Sequence, residues 1–305
     1  MEAVRRPTAT ALAATLAALV ATLLAPQPAR ALSQAPDRLA AYQGFATWVD
    51  IYDTAVWRDP EAAVAAIAAR GIGTVYLETS NYRQPAAILR RALVARFLEA
   101  AHGADLEVIA WYLPGFARPA VDVRRSLAAL EFETATGQGF DGFALDIESS
   151  EVRSASRRTA RLLRVVAEIR GAAGPDAVLG AIIPSPRGME LSPAYWPGFP
   201  YAELADAFQV FLPMVYFTYR TRARADTRDY VAASVKILRR ETGDADVAIH
   251  VIGGVADRTR RGQLRGFADA VCADRLLGAS LYDWETTAGR HWSQLTRLAA
   301  CVPAA

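Results

Sequence analysis

From about residue 45 to its end, the chain alternates short apolar runs with longer stretches in which apolar and charged positions mix. The short runs are rich in β-branched and aromatic residues and read as buried strands. The longer stretches place apolar residues at helical spacing. Predicted strands are Phe45–Tyr52, Gly73–Glu78, Leu106–Leu113, Phe140–Glu148, Ala177–Ile183, Phe208–Tyr216, Val247–Gly253 and Leu277–Trp284. Helices are predicted from Pro60 to Gly71, then over Pro85–His102, Val121–Thr136, Ser154–Arg170, Pro200–Ala207, Asp226–Glu241, Arg260–Asp274 and Gly289–Ala300. Asp59-Pro60 supplies an N-cap and a proline at the first helical position, and Gly103 closes the second helix. Eight strand–helix units in succession predict an α/β fold, a single (β/α)8 TIM-type barrel over residues 41–305. The rival is an open doubly wound sheet, but no Gly-rich phosphate loop follows the first strand.

The first forty residues follow a different pattern. Arg5 and Arg6 precede an uncharged apolar run, Ala9–Leu24, and Ala29-Arg30-Ala31 fits a cleavage site. Residues 1–31 are therefore predicted to be a signal peptide, and residues 32–40 a flexible leader. The apolar run is short for a spanning helix, so no stable membrane insertion is expected after cleavage. Secretion from a bacterial cell is the expected outcome. The formal net charge of the whole chain is +2. Cleavage would remove Arg5, Arg6, Arg30 and Glu2, which leaves a net charge of zero. No broad basic field remains to attract nucleic acid. Cys272 and Cys301 are the only cysteines. In a secreted chain they are expected to form a disulfide between the last two helices of the barrel. The three histidines, His102, His250 and His291, lie far apart in sequence and show no metal-ligand spacing, so no metal or organic cofactor is expected.

Barrel enzymes carry their active sites at the carboxyl ends of the strands, and there the polar pattern is informative. Alternation along the fourth strand puts Ala144, Asp146 and Glu148 on one face, opposite Phe143, Leu145 and Ile147. Two carboxylates about 7 Å apart on one buried face are costly, and folds keep such pairs mainly for coordination or chemistry. The same parity sets Trp48 with Asp50, Tyr76 with Glu78, Met214 with Tyr216, and Tyr282 with Trp284. The third strand ends at Trp111 and Tyr112, and His250 lies between Ile249 and Val251. The predicted mouth is acidic and aromatic. Aromatic faces stack on sugar rings and paired carboxylates run glycosidic chemistry, so the expected ligand is carbohydrate. Trp48 and Trp111 also fit a packed interior, and His250 also fits a hydrogen-bonded core position.

At Asp141-Gly-Phe-Ala-Leu-Asp146-Ile-Glu148 the chain resembles glycoside hydrolase family 18, the chitinase-like barrels, whose fourth strand carries Asp-x-x-Asp-x-Asp-x-Glu. The resemblance implies that Glu148 is the proton donor and that Asp146 holds and polarises an acetamido group. It also implies that Tyr216, in Met214-Val215-Tyr216, reaches the reacting sugar and that Trp284 floors the site. The sequence departs from the family at Ala144, where an aspartate is usual, and at Phe217. Leu145-Asp146-Ile147-Glu148 is also similar to the strand end of family 25 lysozymes.

The expected protein is a secreted, monomeric glycoside hydrolase acting on a polysaccharide. Glu148 would be the general acid, and Asp146 would stay ionised as stabiliser. Trp48, Asp50, Glu78, Trp111, Tyr112, Tyr216, His250, Tyr282 and Trp284 would bind substrate. Two other readings are a non-catalytic carbohydrate-binding barrel, suggested by Ala144, and a metal-dependent hydrolase using Asp50, Glu78, Asp146 and Glu148.

Overall fold

The computed structural model describes residues 39–302. The predicted signal peptide and most of the predicted leader lie outside the described residues. Eight parallel strands close into one barrel in chain order. They are β1 (Gly44–Val49), β2 (Thr74–Asn81), β3 (Glu107–Leu113), β4 (Gly142–Asp146), β5 (Leu179–Pro184), β6 (Val210–Met214), β7 (Ala248–Val255) and β8 (Gly278–Tyr282). Pairing of β1 with β8 completes the ring. Helices follow the strands and cover the outer face, as the alternation predicts. No described helix is long and apolar enough to cross a membrane.

Local signals act as expected. The Asp59 side chain accepts from the Ala62 N–H and caps the helix Pro60–Ala68. Ser154 caps the helix Ala155–Ala173 in the same way. Two short helices, Thr54–Arg58 and Pro186–Leu191, were not predicted. Each is too short for a periodic pattern to emerge.

Each strand has two apolar faces. The outer one packs under the helices, with Phe143, Leu145 and Ile147 of the β4 segment among its members. The inner one fills the barrel with Ala46, Trp48, Tyr76, Ile109, Trp111, Ala144, Ile182 and Leu212. The lower end is plugged by the turn Ala40–Tyr42, so the last residue of the predicted leader belongs to the folded body. The Tyr42 hydroxyl donates to the Phe143 carbonyl (2.8 Å) and accepts from the Phe143 N–H (3.1 Å). Gly142 makes room for it: a Cβ there would lie 2.7 Å from the Tyr42 hydroxyl.

A polar chain rises from this plug through the interior. His250 Nδ1 meets the Tyr42 carbonyl (2.9 Å), which can only accept, so Nδ1 carries the proton. Nε2 then accepts from the Ser280 hydroxyl (3.1 Å), and Ser280 Oγ accepts from Trp48 Nε1 (2.8 Å). Burial holds the His250 imidazole neutral, with its pKa pushed down to about 4.

Candidate active site

The carboxyl ends of β1, β2, β4 and β8 gather six acidic side chains at the upper mouth. β4 ends at Asp146, and Glu148 follows in a turn rather than on the strand. It nevertheless faces the same group, because its charge acts on both Asp146 and Glu78. Glu78 sits near the upper end of β2 and is 3% exposed. Its Oε2 accepts from the Ile51 N–H (3.1 Å) and its Oε1 from Asn81 Nδ2 (3.1 Å). Asp146 is buried, and its Oδ1 has no hydrogen-bond partner. A buried carboxyl oxygen left without a donor is expensive, and it marks a place where a ligand group or water belongs.

Burial raises the pKa of all three carboxyls. Glu78 is pushed up to about 7 by burial, with the charges of Asp50 and Glu148 adding to the effect. Burial also raises Glu148. Asp146 is driven well above its ordinary range by burial and by repulsion from Glu148 and Glu78. The expectation that Asp146 stays ionised is therefore corrected. Asp146 is buried and feels two acidic neighbours, and both effects disfavour its charged form.

A second acidic group adjoins the first. The Tyr282 hydroxyl donates to Asp50 Oδ2 (2.7 Å), and the Tyr52 N–H donates to Asp50 Oδ1 (2.6 Å). The Asp50 N–H in turn donates to Asp53 Oδ2 (3.0 Å). Asp283 Oδ1 accepts from the N–H and the hydroxyl of Thr286, each at 2.9 Å. Asp50, Asp53 and Asp283 each offer an oxygen within 4.8 Å of the others, a spacing that suits shared protons or a cation. Asp53 is pushed up to about 8, first by burial and then by the charges of Asp50 and Asp283. The candidate ligand set read from sequence grouped Asp50 with Glu78, Asp146 and Glu148; the closest grouping instead joins Asp50 to Asp53 and Asp283. The sequence pattern singles out neither Asp53 nor Asp283 as a site residue. Both lie past a strand end, where alternation no longer reports direction.

Below the acids lies an aromatic floor. Trp48 stacks on Tyr76 at 4.3 Å between centroids, and Trp111 meets Trp48 edge-on at 5.9 Å. Trp111 Nε1 and the Tyr76 hydroxyl are buried without a partner. Tyr216 and Tyr282 meet at 6.3 Å, and the charges of Glu148 and Asp146 act on Tyr216. Around the mouth stand three exposed tyrosines: Tyr52, Tyr195 and Tyr219. The Tyr195 hydroxyl donates to the Glu148 carbonyl. The sequence pattern does not reveal Tyr195 and Tyr219, because they lie beyond the ends of β5 and β6, where strand alternation no longer applies. Their one legible signal is an aromatic residue in a loop that follows a strand end.

Three expected substrate contacts are not in the mouth. Tyr112 neighbours Trp111 on β3, so alternation turns it outward, where its hydroxyl donates to Asp122 Oδ1 (2.7 Å) under the helix Pro119–Leu130. His250 lies at the barrel bottom, bonded to the plug. Trp284 follows the end of β8 at Tyr282; it packs in the helix layer against Trp292 at 5.4 Å and does not floor the site.

No family model matches the chain, and no curated protein sequence matches it. Solved structures do. A chitinase from Chromobacterium violaceum aligns with a TM-score of 0.58 at 12% identity, over 85% of this chain and 99% of that one. The glycoside hydrolase domain of PgaB (BpsB) from Bordetella bronchiseptica aligns with a TM-score of 0.55 at 12% identity, over 84% and 98%. The endo-β-1,4-mannanase of Thermotoga petrophila aligns with a TM-score of 0.58 at 11% identity, over 79% and 68%. At these identities the likeness is one of fold.

Proposed function

We propose that this protein is a secreted glycoside hydrolase that cleaves a polysaccharide at the mouth of the barrel. One observation carries the reading: the buried Glu78 and Asp146 and the half-buried Glu148 gather above an aromatic floor, and Asp146 keeps an oxygen without a partner. The neighbours named as chitinase, mannanase and glycoside hydrolase domain support it, as does the resemblance to family 18. The predicted signal peptide and the Cys272–Cys301 disulfide support export.

Glu148 is assigned as the general acid. With its pKa raised by burial it retains its proton closer to neutrality than an exposed glutamate, and it delivers that proton to the glycosidic oxygen as the bond to the anomeric carbon breaks. The electron pair of that bond leaves on the protonated oxygen, and positive charge develops on the sugar ring. Asp146 or Glu78 stabilises that charge or holds an acetamido group against the anomeric carbon, and a water that gives its proton to the Glu148 carboxylate forms the new bond to that carbon. Trp48, Trp111, Tyr216 and Tyr282 shape the floor under the ring, and Tyr52 and Tyr195 extend the binding surface outward. Incubating the purified protein with chitin, mannan and peptidoglycan and measuring released reducing ends tests the proposal. No release from a broad glycan set would overturn it.

A second reading, a barrel that binds carbohydrate without cleaving it, is favoured by Ala144. That position is fully buried in the interior, and a Cβ on neighbouring Gly180 would already lie 3.1 Å from the Ala144 Cβ. The relay aspartate of family 18 has no counterpart there. Tight oligosaccharide binding without turnover would select this reading.

A further inference from the structure

The side of the mouth formed after β5 and β6 holds an open pocket of about 400 Å³, within the range of small-molecule sites. Tyr195, Tyr216, Tyr219, Met189, Tyr230 and Arg220 are among its lining residues. It adjoins the reacting centre: the Tyr195 hydroxyl is bonded to the Glu148 carbonyl, and the charges of Glu148 and Asp146 reach both Tyr195 and Tyr216. Arg220 is the one charged side chain in the lining. Its guanidinium has no hydrogen-bond or ion-pair partner among the described residues. That contrasts with nearby Arg187, Arg224 and Arg240, each paired with a carboxylate at 2.5–3.1 Å. It contrasts also with the mouth itself, whose six acids leave Arg220 unpaired. Arg220 therefore neutralises nothing in the protein. It is free to meet an anion brought by the ligand.

We infer that this pocket is a sugar subsite selective for a residue bearing a carboxylate, with Arg220 as the specificity-determining residue. The inference rests on the glycoside hydrolase reading of the same mouth. Tyrosine faces and Met189 suit the body of a pyranose ring, and a guanidinium matches a carboxylate bidentately. The carboxylate could belong to the ring, as in a uronic acid, or to an ether substituent on it. Placing it at Arg220 holds it outside the acidic cluster, where it would be repelled.

The test uses the full chain carrying Glu148→Gln, titrated in a calorimeter at low salt. The probes are two matched pairs: uronate oligosaccharides against their carboxyl-reduced forms, and carboxymethylated against unsubstituted chito-oligosaccharides. At least one carboxylate probe is expected to bind about tenfold more tightly than its neutral partner. The pair that discriminates tells ring carboxylate from ether carboxylate. Adding Arg220→Ala should abolish the preference, and Arg220→Lys should keep part of it. Arg220 is exposed and makes no polar side-chain contact, so these changes leave the fold intact. Equal affinity within both pairs, a preference that survives Arg220→Ala, or no binding of any probe would overturn the subsite. If wild type binds the carboxylate probe through Arg220 but never cleaves it, the subsite stands and the hydrolase reading falls. If wild type cleaves neutral glycans and Arg220→Ala changes nothing, the reverse holds.

Discussion

Glu148 and its neighbours are carboxyls whose protons are held by place alone. No cation pairs with Glu78, Asp146 or Glu148 among the described residues, and burial raises all three pKa values. Glu148→Gln keeps the shape but removes the proton, so turnover on a natural polysaccharide should fall by about 10²- to 10⁴-fold while binding persists. Substrates with good leaving groups should suffer least. Unchanged turnover in this variant would remove Glu148 from the mechanism. Stability carries a second signature of the same cluster. Glu78 holds its proton up to about pH 7 in the folded chain, against 4.5 for an ordinary glutamate. The folded state thus binds a proton that the unfolded state has released, and stability falls as pH rises from about 4.5 to 7. The contribution is at most about 1.4 kcal/mol per pH unit. Glu78→Gln should flatten the fall of Tm across that window, and a slope equal to wild type would contradict the assignment. Asp53, held up to about 8, extends the same trend to higher pH.

Strands and helices were legible in sequence nearly everywhere, while strand ends were not. The fourth strand reads as Phe140–Glu148 but stops at Asp146, and the eighth reads to Trp284 but stops at Tyr282. Alternation is a property of extended backbone, so it assigns Trp48, Glu78 and Asp146 correctly and misplaces Trp284, which follows a strand end. The neighbour pair Trp111 and Tyr112 could not both face inward for the same reason. At the other end of the chain, one covalent bond joins two elements. Cys272 on the helix Arg261–Asp274 and Cys301 after the helix Gly289–Ala299 have Cα atoms 4.7 Å apart, 29 residues apart in sequence. Closing a loop of that length stabilises by about 3–4 kcal/mol in the chain-entropy model. The double variant Cys272→Ala/Cys301→Ala should melt roughly 5–10 °C lower and keep its activity, since the bond lies on the outer helix ring. A Tm equal to wild type would show that helix packing alone holds the last unit.

At the scale of the whole barrel, the plug and the acidic mouth occupy opposite ends. The Tyr42 plug, His250 and Gly278 form the bottom, where a Cβ on Gly278 would lie only 2.1 Å from His250 Nδ1. The acids lie at the top, and Ser280 and Trp48 connect the two through the interior. Tyr42→Phe leaves the Phe143 N–H without its acceptor and the Phe143 carbonyl without this donor. It should cost about 1–3 kcal/mol of stability with little effect on kcat, read by denaturant unfolding beside an activity assay. A large loss of activity at unchanged stability would mean that the polar chain tunes the mouth rather than the fold.

The order of eight strands and eight helices, the closed-barrel class, the acidic pair at Asp146 and Glu148 and the pairing of Cys272 with Cys301 were all carried by the sequence. Periodicity, capping residues and composition are local properties, and each of these features has a local signature. Tertiary structure alone decided that Glu78 joins the pair, that Asp50 turns to Asp53 and Asp283, that His250 belongs to the plug, and that Tyr195 and Arg220 line one pocket. These relations join residues far apart in sequence through loops and strand ends. There no period exists to be read, and barrel closure determines which side chains meet.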